Sequence, residues 1–327
     1  MMRGGIVFRT KRMVMPVLLL FSACLCISAC ASTGAGPEGG GKSGQAGRMQ
    51  VMGTQAGEWY YDQFDEAGRN AYDAFRRAAQ DPFSGQMTEI LSEESGAAQI
   101  DVAQLDSVYQ GFLYDHPELF WLDRSYRFRV CGTGEEKAAD AVAVIPLYGS
   151  REEIAQYSDR FTSAAEEIID GLRTSADGSA DPGMIYDSLA GHADYREEAL
   201  YDPAYINEHS AYGAIVEKSA VCDGYALALK YLMDRCGYEC IVIPGTVNGA
   251  DHVWNTAFWD GAWHEMDITW DASSGGGRQY FDLTTEEMER DHLRDPEGAV
   301  PEVPVSAGRE DGLFGKRLLY EQERNKS

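Results

Sequence analysis

"SAVCDGYALALKYL", residues Ser219 to Leu232, sets one cysteine at the mouth of an apolar helix pattern. Tyr225, Leu229, Leu232, Met233 and Cys236 recur at helical spacing, so one face of the predicted helix is apolar. Gly237 then stands as its C′ stop. Cys222 falls in the first turn, where unpaired N–H groups and the helix dipole favour negative charge. Three readings of Cys222 stand at this point: a buried structural thiol, half of a disulfide, or a nucleophile. The nucleophile must be a thiolate, and an unperturbed thiol of pKa about 8.5 is mostly protonated at neutral pH. The helix end supplies one activating device. An imidazole from elsewhere in the chain would supply the second.

The residues that follow offer that imidazole. "ECIVIPGTV" (239–247) reads as a strand, and "HVWNTAFWDGAWHEMDITWD" (252–271) as a hairpin turning at Asp260-Gly261. A two-residue turn there places Trp254 opposite Asp267. Side chains alternate by two, so His252 shares the face of Trp254 and lies one diagonal step from Asp267. A carboxylate in that place fixes the imidazole tautomer and stabilises the imidazolium. A helix packed on that face, with its N-terminus at the hairpin, would complete Cys222–His252–Asp267. An odd-length loop would flip the parity and separate His252 from Asp267. His209, just before the cysteine block, is a rival base, whereas His264 faces away from Asp267 and reads as structural or exposed. His116, His192 and His292 read as caps or surface residues. Of Trp254, Trp259, Trp263 and Trp270, only Trp254 is expected near the site; the others read as core packing.

The blocks A-V-C-D-G-Y-A, H-V-W-N and W-H-E-M-D-I-T-W-D, in that order between about residues 205 and 292, resemble the transglutaminase-like superfamily of papain-type cysteine enzymes. The resemblance implies an α+β fold, with the nucleophile helix packed on an antiparallel sheet and a mixed helix-strand N-terminal extension. It implies Cys222 as nucleophile, His252 as base and Asp267 as orienting carboxylate. It also implies attack on peptide or carboxamide bonds through a thioester, with water or an amine as acyl acceptor. The backbone N–H of Cys222 is a natural oxyanion donor at a helix start. Tyr212 is the candidate side chain for the second donor, and Trp254 for substrate contact. A catalytically silent envelope-binding module on the same fold is the alternative. A metal site on Cys222, His252 and Asp267 finds no support in ligand spacing such as CxxC or HExxH, so no metal or cofactor is expected.

Outward from this core, the N-terminus reads as a separate object. "MMRGGIVFRTKRM" carries Arg3, Arg9, Lys11 and Arg12 with no acid, and a short apolar run follows. This is a secretory signal pattern, too short for a comfortable membrane span. Ile27-Ser28-Ala29-Cys30 resembles a lipobox, with Cys30 as the lipidated residue; an ordinary cleavage near Ala29, Ala31 or Ser32 is the other reading. Residues 1–29 carry four cations and no acid, so their removal takes the formal charge from −25 to −29. Such a surface repels nucleic acid and anionic lipid. The predicted setting is extracytoplasmic, anchored to the membrane by lipid, with a protein or peptide substrate that is cell-wall associated or not.

Domain expectations follow: residues 1–29 signal, 30–55 a Gly/Ser-rich tether, 56–150 an N-terminal extension, 151–293 the catalytic domain, and 294–327 a loose tail. Within the extension, Asp65 caps one helix and a second ends near His116-Pro117. "SYRFRV" and "AVAVIPLY" read as strands, and residues 151–173 as an amphipathic helix. Cys131, Cys222, Cys236 and Cys240 remain in the folded part. Four spread cysteines are not a disulfide framework, although Cys236 and Cys240 are close enough in sequence to pair.

Overall fold

The computed structural model describes residues 57–93, 96–131, 137–172 and 180–295, together with the backbone of residues 6–9. Apart from those four residues, the expected signal segment lies outside the described residues. So do Cys30, the tether up to residue 55 and the tail from residue 296. Among the described residues no helix is long and apolar enough to cross a membrane.

The first half of the chain packs α1 (Trp59–Gln63), α2 (Glu66–Gln80) and α3 (Val102–Asp115) against an antiparallel sheet. Its strands are β1 (Ile6–Arg9), β2 (Thr88–Glu89), β3 (Ile100–Asp101), β4 (Leu122–Cys131) and β5 (Ala138–Pro146), in the order β1-β4-β5-β2 with β3 also on β5. α2 starts where the sequence places it, because Asp65 Oδ1 accepts from the Gly68 N–H at 2.8 Å. α3 stops at Asp115, and Pro117 forbids its continuation.

The second half opens with α4 (Arg151–Leu172), α5 (Pro182–His192) and the short parallel pair β6 (Asp194–Tyr195) and β7 (Ser219–Ala220). Then come α6 (Cys222–Arg235), β8 (Glu239–Val247), β9 (Ala250–Trp259), β10 (Ala262–Met266), α7 (Ile268–Ser273), α8 (Thr285–Met288) and β11 (His292–Arg294). The second sheet runs β10-β9-β8-β11. Asp260 (φ 51°) and Gly261 (φ 82°) both lie in the left-handed region, as the two-residue hairpin turn requires. The register pairs Trp259 with Ala262 and Asn255 with Met266, so the expected parity is the one formed. Strand β11 was not expected. It holds no apolar alternation, yet it pairs with β8 through His292 opposite Val247 and Arg294 opposite Gly245.

α6 is buried on every side from Cys222 to Asp234. Two polar ties fix it to the sheet. Lys230 Nζ donates to Asp234 Oδ2 at 2.9 Å and to the Cys240 carbonyl at 2.7 Å. Asn255 Nδ2 donates to the Ala226 carbonyl at 3.0 Å. The second tie corrects the face on which the helix was expected. α6 packs with Val253 and Ala257, whereas Trp254 belongs to the opposite face with Ile243, Leu283 and Met288. The Cys222 end of α6 therefore meets His252 around the end of the sheet.

One hydrophobic core runs from Tyr60 to Ile268 and spans the N-terminal extension and the segment after residue 150 alike. Tyr60 even donates its hydroxyl to the Val242 carbonyl at 2.5 Å. The residue 150/151 boundary is thus a loop between β5 and α4, and no gap in packing marks it. Among the described residues no disulfide joins the cysteines, and Cys236 and Cys240 are not bridged to each other.

Candidate active site

Cys222 is the first residue of α6, and the extended Val221 before it brings no side-chain cap. The first-turn N–H groups are thus left without side-chain competition beside the thiol. Cys222 is 8% exposed and lines a cavity of about 310 Å³ together with His252, Asp223, Arg124, Gln110 and His209. His252 Nε2 lies 2.8 Å from Asp267 Oδ2. That contact commits Nε2 and leaves Nδ1 as the ring nitrogen available to an acid. Asp267 is in turn fixed as the N-cap of α7, its Oδ1 accepting from the Thr269 and Trp270 N–H groups at 2.9 and 3.3 Å. The sheet register, the end of β10 and the start of α7 together aim this carboxylate.

His292, read from sequence as a cap or surface residue, is fully buried behind the pair. Its Nε2 lies 2.9 Å from the same Asp267 Oδ2, and its Nδ1 lies 2.6 Å from Asp291 Oδ1. Both partners are acceptors, so satisfying them takes a proton on each ring nitrogen. Burial opposes that charge, but Asp267 and Asp291 outweigh it and raise the pKa of His292 above its ordinary value. Burial likewise disfavours the charged Asp267, yet His252 and His292 hold its carboxyl well below the usual carboxylate range. The Cys222 thiol goes the other way. Burial first, then the carboxylates of Asp223 and Asp267, push it well above its ordinary value, and Arg124 pulls it down. The resting thiol is therefore protonated, and acting as a nucleophile would require a base to take its proton.

The rival base is placed but committed. His209 has Nδ1 2.9 Å from Asp223 Oδ2 and Nε2 3.0 Å from the Ala199 carbonyl, so neither nitrogen offers a lone pair to the thiol. Trp254 lies near the site but beneath it. It is 1% exposed, donates Nε1 to Glu265 Oε2 at 2.8 Å, and is absent from the cavity wall. Its ring supports His252 and meets His292 edge-on at 5.1 Å, so it is not placed to touch a substrate. Tyr212 stands apart from the cavity, buried against Phe120 and Tyr157, and is not placed as an oxyanion donor. His264 is buried, hydrogen-bonded to Asp282 and stacked on Trp259. His116 is the C-cap of α3, which agrees with a capping role, but it is buried against Glu118 and Glu58 and is no surface residue.

No protein-family model matches the chain. The kyphoscoliosis peptidases of Mus musculus and Homo sapiens are each 33% identical to it over 61 residues, 15% of this chain. The match spans only 9% of the length of those relatives. Among solved structures, a TGase is similar over 43% of both chains, at 16% identity and a TM-score of 0.31. A candidate cysteine protease from Cytophaga hutchinsonii is similar over 51% of this chain and 60% of its own, at 12% identity and a TM-score of 0.29.

Around this cavity, three residues were not legible in the sequence: His292, Arg124 and Gln110. His292 sits in a polar stretch that carries no strand signal. Arg124 and Gln110 come from β4 and α3, about a hundred residues before Cys222, and only tertiary packing brings them to the cavity. His252, Asp267 and His292 also set three ligand atoms within 4.8 Å of one another, a spacing that suits a cation. The hydrogen bonds from both imidazoles to the one carboxylate account for that cluster without an ion.

Proposed function

We propose that this chain is a cysteine enzyme that cleaves peptide or carboxamide bonds through a thioester on Cys222. The observation that carries the reading is the shared cavity: the thiol at the α6 N-terminus and His252 line one wall, and Asp267 holds His252 Nε2 at 2.8 Å. His252 Nδ1 takes the thiol proton as sulfur attacks the carbonyl carbon, and a tetrahedral oxyanion forms. The Cys222 backbone N–H at the helix start supports that oxyanion. Collapse breaks the C–N bond, the proton on His252 passes to the leaving amine, and a thioester remains. Water, deprotonated by His252, then attacks the thioester to release a carboxylic acid and restore the thiol. An amine in place of water would instead form a new amide bond. Hydrolysis is preferred, because a cavity open to solvent meets water first. We place the enzyme outside the cytoplasm, held by lipid on Cys30 with residues 31–55 as its tether, on the strength of the signal pattern alone.

The test is mass spectrometry of Cys222 after incubation with peptides and cell-wall fragments. A thioester adduct that disappears with release of a carboxylic acid is the expected result. Ligands that bind equally well after Cys222→Ala, with no product from the wild type, would instead make the chain a binding module.

A further inference from the structure

We propose that Arg124, a residue of the N-terminal extension, is a positioning residue for the nucleophile: it neutralises the Asp223 carboxylate that the chain sets directly beside Cys222. The inference deepens the cysteine-enzyme reading and rests on it.

The geometry is specific. Arg124 is largely buried and lines the catalytic cavity. Its Nη1 donates to Asp223 Oδ2 at 2.8 Å, and its Nη2 donates to the His209 carbonyl at 2.7 Å. His209 Nδ1 meets the same Asp223 oxygen at 2.9 Å. The other oxygen, Oδ1, faces Cys222 Sγ at 3.9 Å. One carboxylate thus touches the thiol on one side and is clamped by a guanidinium and an imidazole on the other.

The physical consequence follows from the charges around the sulfur. Asp223 on α6 and Asp267 at the start of α7 both oppose a thiolate, and burial opposes it further. Tyr195 on β6 is a neutral phenol at working pH, its pKa raised to about 12. His252 on β9 and His209 face the cavity as imidazoles. Arg124 on β4 is the fixed cation that lowers the thiol's pKa. Without it, the Asp223 charge one residue from the nucleophile would keep only its hydrogen bond to His209 and lose its fixed counter-charge, where an acid in a helix first turn otherwise suits the dipole. The extension is then a working part of the active site, which explains why its core is continuous with that of the catalytic segment.

The experiment follows iodoacetamide alkylation of Cys222 in the full-length chain between pH 6 and 11, read by peptide mass spectrometry so that other thiols do not contribute. Arg124→Ala is expected to raise the midpoint by about one pH unit, which is about a tenfold slower reaction near neutrality. Arg124→Lys should recover part of the shift, because it keeps the charge but loses the fork. Arg124→Ala combined with Asp223→Asn should return towards the wild-type midpoint, because the uncompensated charge is gone. Asp223→Asn alone should lower the midpoint, and it keeps the test open should Arg124→Ala fail to fold. An unchanged midpoint in Arg124→Ala or in Asp223→Asn, or a double variant no better than Arg124→Ala, would overturn the proposal. Alkylation reports the thiol alone. A wild type that never turns over a substrate therefore sinks the enzyme reading and leaves this one standing.

Discussion

His292 Nε2 lies 2.9 Å from Asp267 Oδ2, the same oxygen that receives His252. One buried carboxylate thus serves two imidazoles, and the second arrives on a strand that closes the sheet after the catalytic blocks have ended. His292 keeps Asp267 ionised, and it also draws on the oxygen that orients His252.

Removing His292 should therefore act on both stability and turnover. His292→Ala leaves a buried carboxylate with one charged partner fewer, which costs about 3–5 kcal/mol when a buried pair is broken. His292→Gln restores one hydrogen bond but no cation, and should recover part of the loss. The pKa of His292 is raised in the folded chain. Its stabilisation is thus complete below the unfolded value of about 6.5 and lost as pH rises through the folded value. Denaturant melts of wild type and His292→Gln at pH 6 and pH 9 should show a smaller difference at the higher pH.

Base removal gives a sharper outcome. The thiol's pKa lies well above the ordinary range, so its reactivity near neutrality depends on proton acceptance by His252. His252→Ala should slow thioester formation by about 10²–10⁴-fold. Asp267→Asn should fall between that variant and wild type, because the ring loses its orienting carboxylate. Single-turnover acylation measures this, and equal rates for wild type and His252→Ala would show that another group takes the proton.

A second pH effect belongs to the extension. Burial disfavours charge on His116, but Glu118 and Glu58 raise its pKa to about 9. Its Nδ1 meets Glu118 at 3.0 Å, and its Nε2 lies 3.2 Å from Glu58 in a poorly aligned contact. The folded value exceeds the unfolded one, so the contribution is complete below pH about 6.5 and fades as pH climbs through about 9. Stability from urea melts should fall across that window by roughly 2–3 kcal/mol. His116→Gln should flatten the fall, and an equally steep profile in that variant would contradict it.

Gly224 separates propensity from packing. Alanine in a helix interior is normally better than glycine by about 1 kcal/mol. A Cβ on Gly224, however, would stand 2.3 Å from the Glu208 carbonyl oxygen and 3.0 Å from Ser210 O. Those are backbone atoms, so the α6 start must move, and overpacking of that kind costs roughly 1–3 kcal/mol. The steric term wins. Gly224→Ala should lower Tm and cut turnover more than it cuts stability, because Cys222 moves with the helix end.

Much of this site follows from sequence by local rules alone. An apolar period with a glycine stop fixes α6 and sets Cys222 at its first turn. A two-residue Asp-Gly turn fixes one register, and that register alone decides that His252 and Asp267 share a side of the sheet. These are short-range constraints, so the residues that impose them are neighbours in the chain. Long-range packing decided the rest. Which face of the sheet α6 covers depends on the fit of Val253, Asn255 and Ala257 against the helix, and no single strand carries that information. The polar strand of His292 exists because β8 has a free edge and Asp267 has an oxygen to share. Trp254 and Tyr212 have the chemistry of contact residues, yet burial puts both out of a substrate's reach. Arg124 reaches Asp223 across 99 residues, where only the tertiary fold could bring a cation beside Cys222.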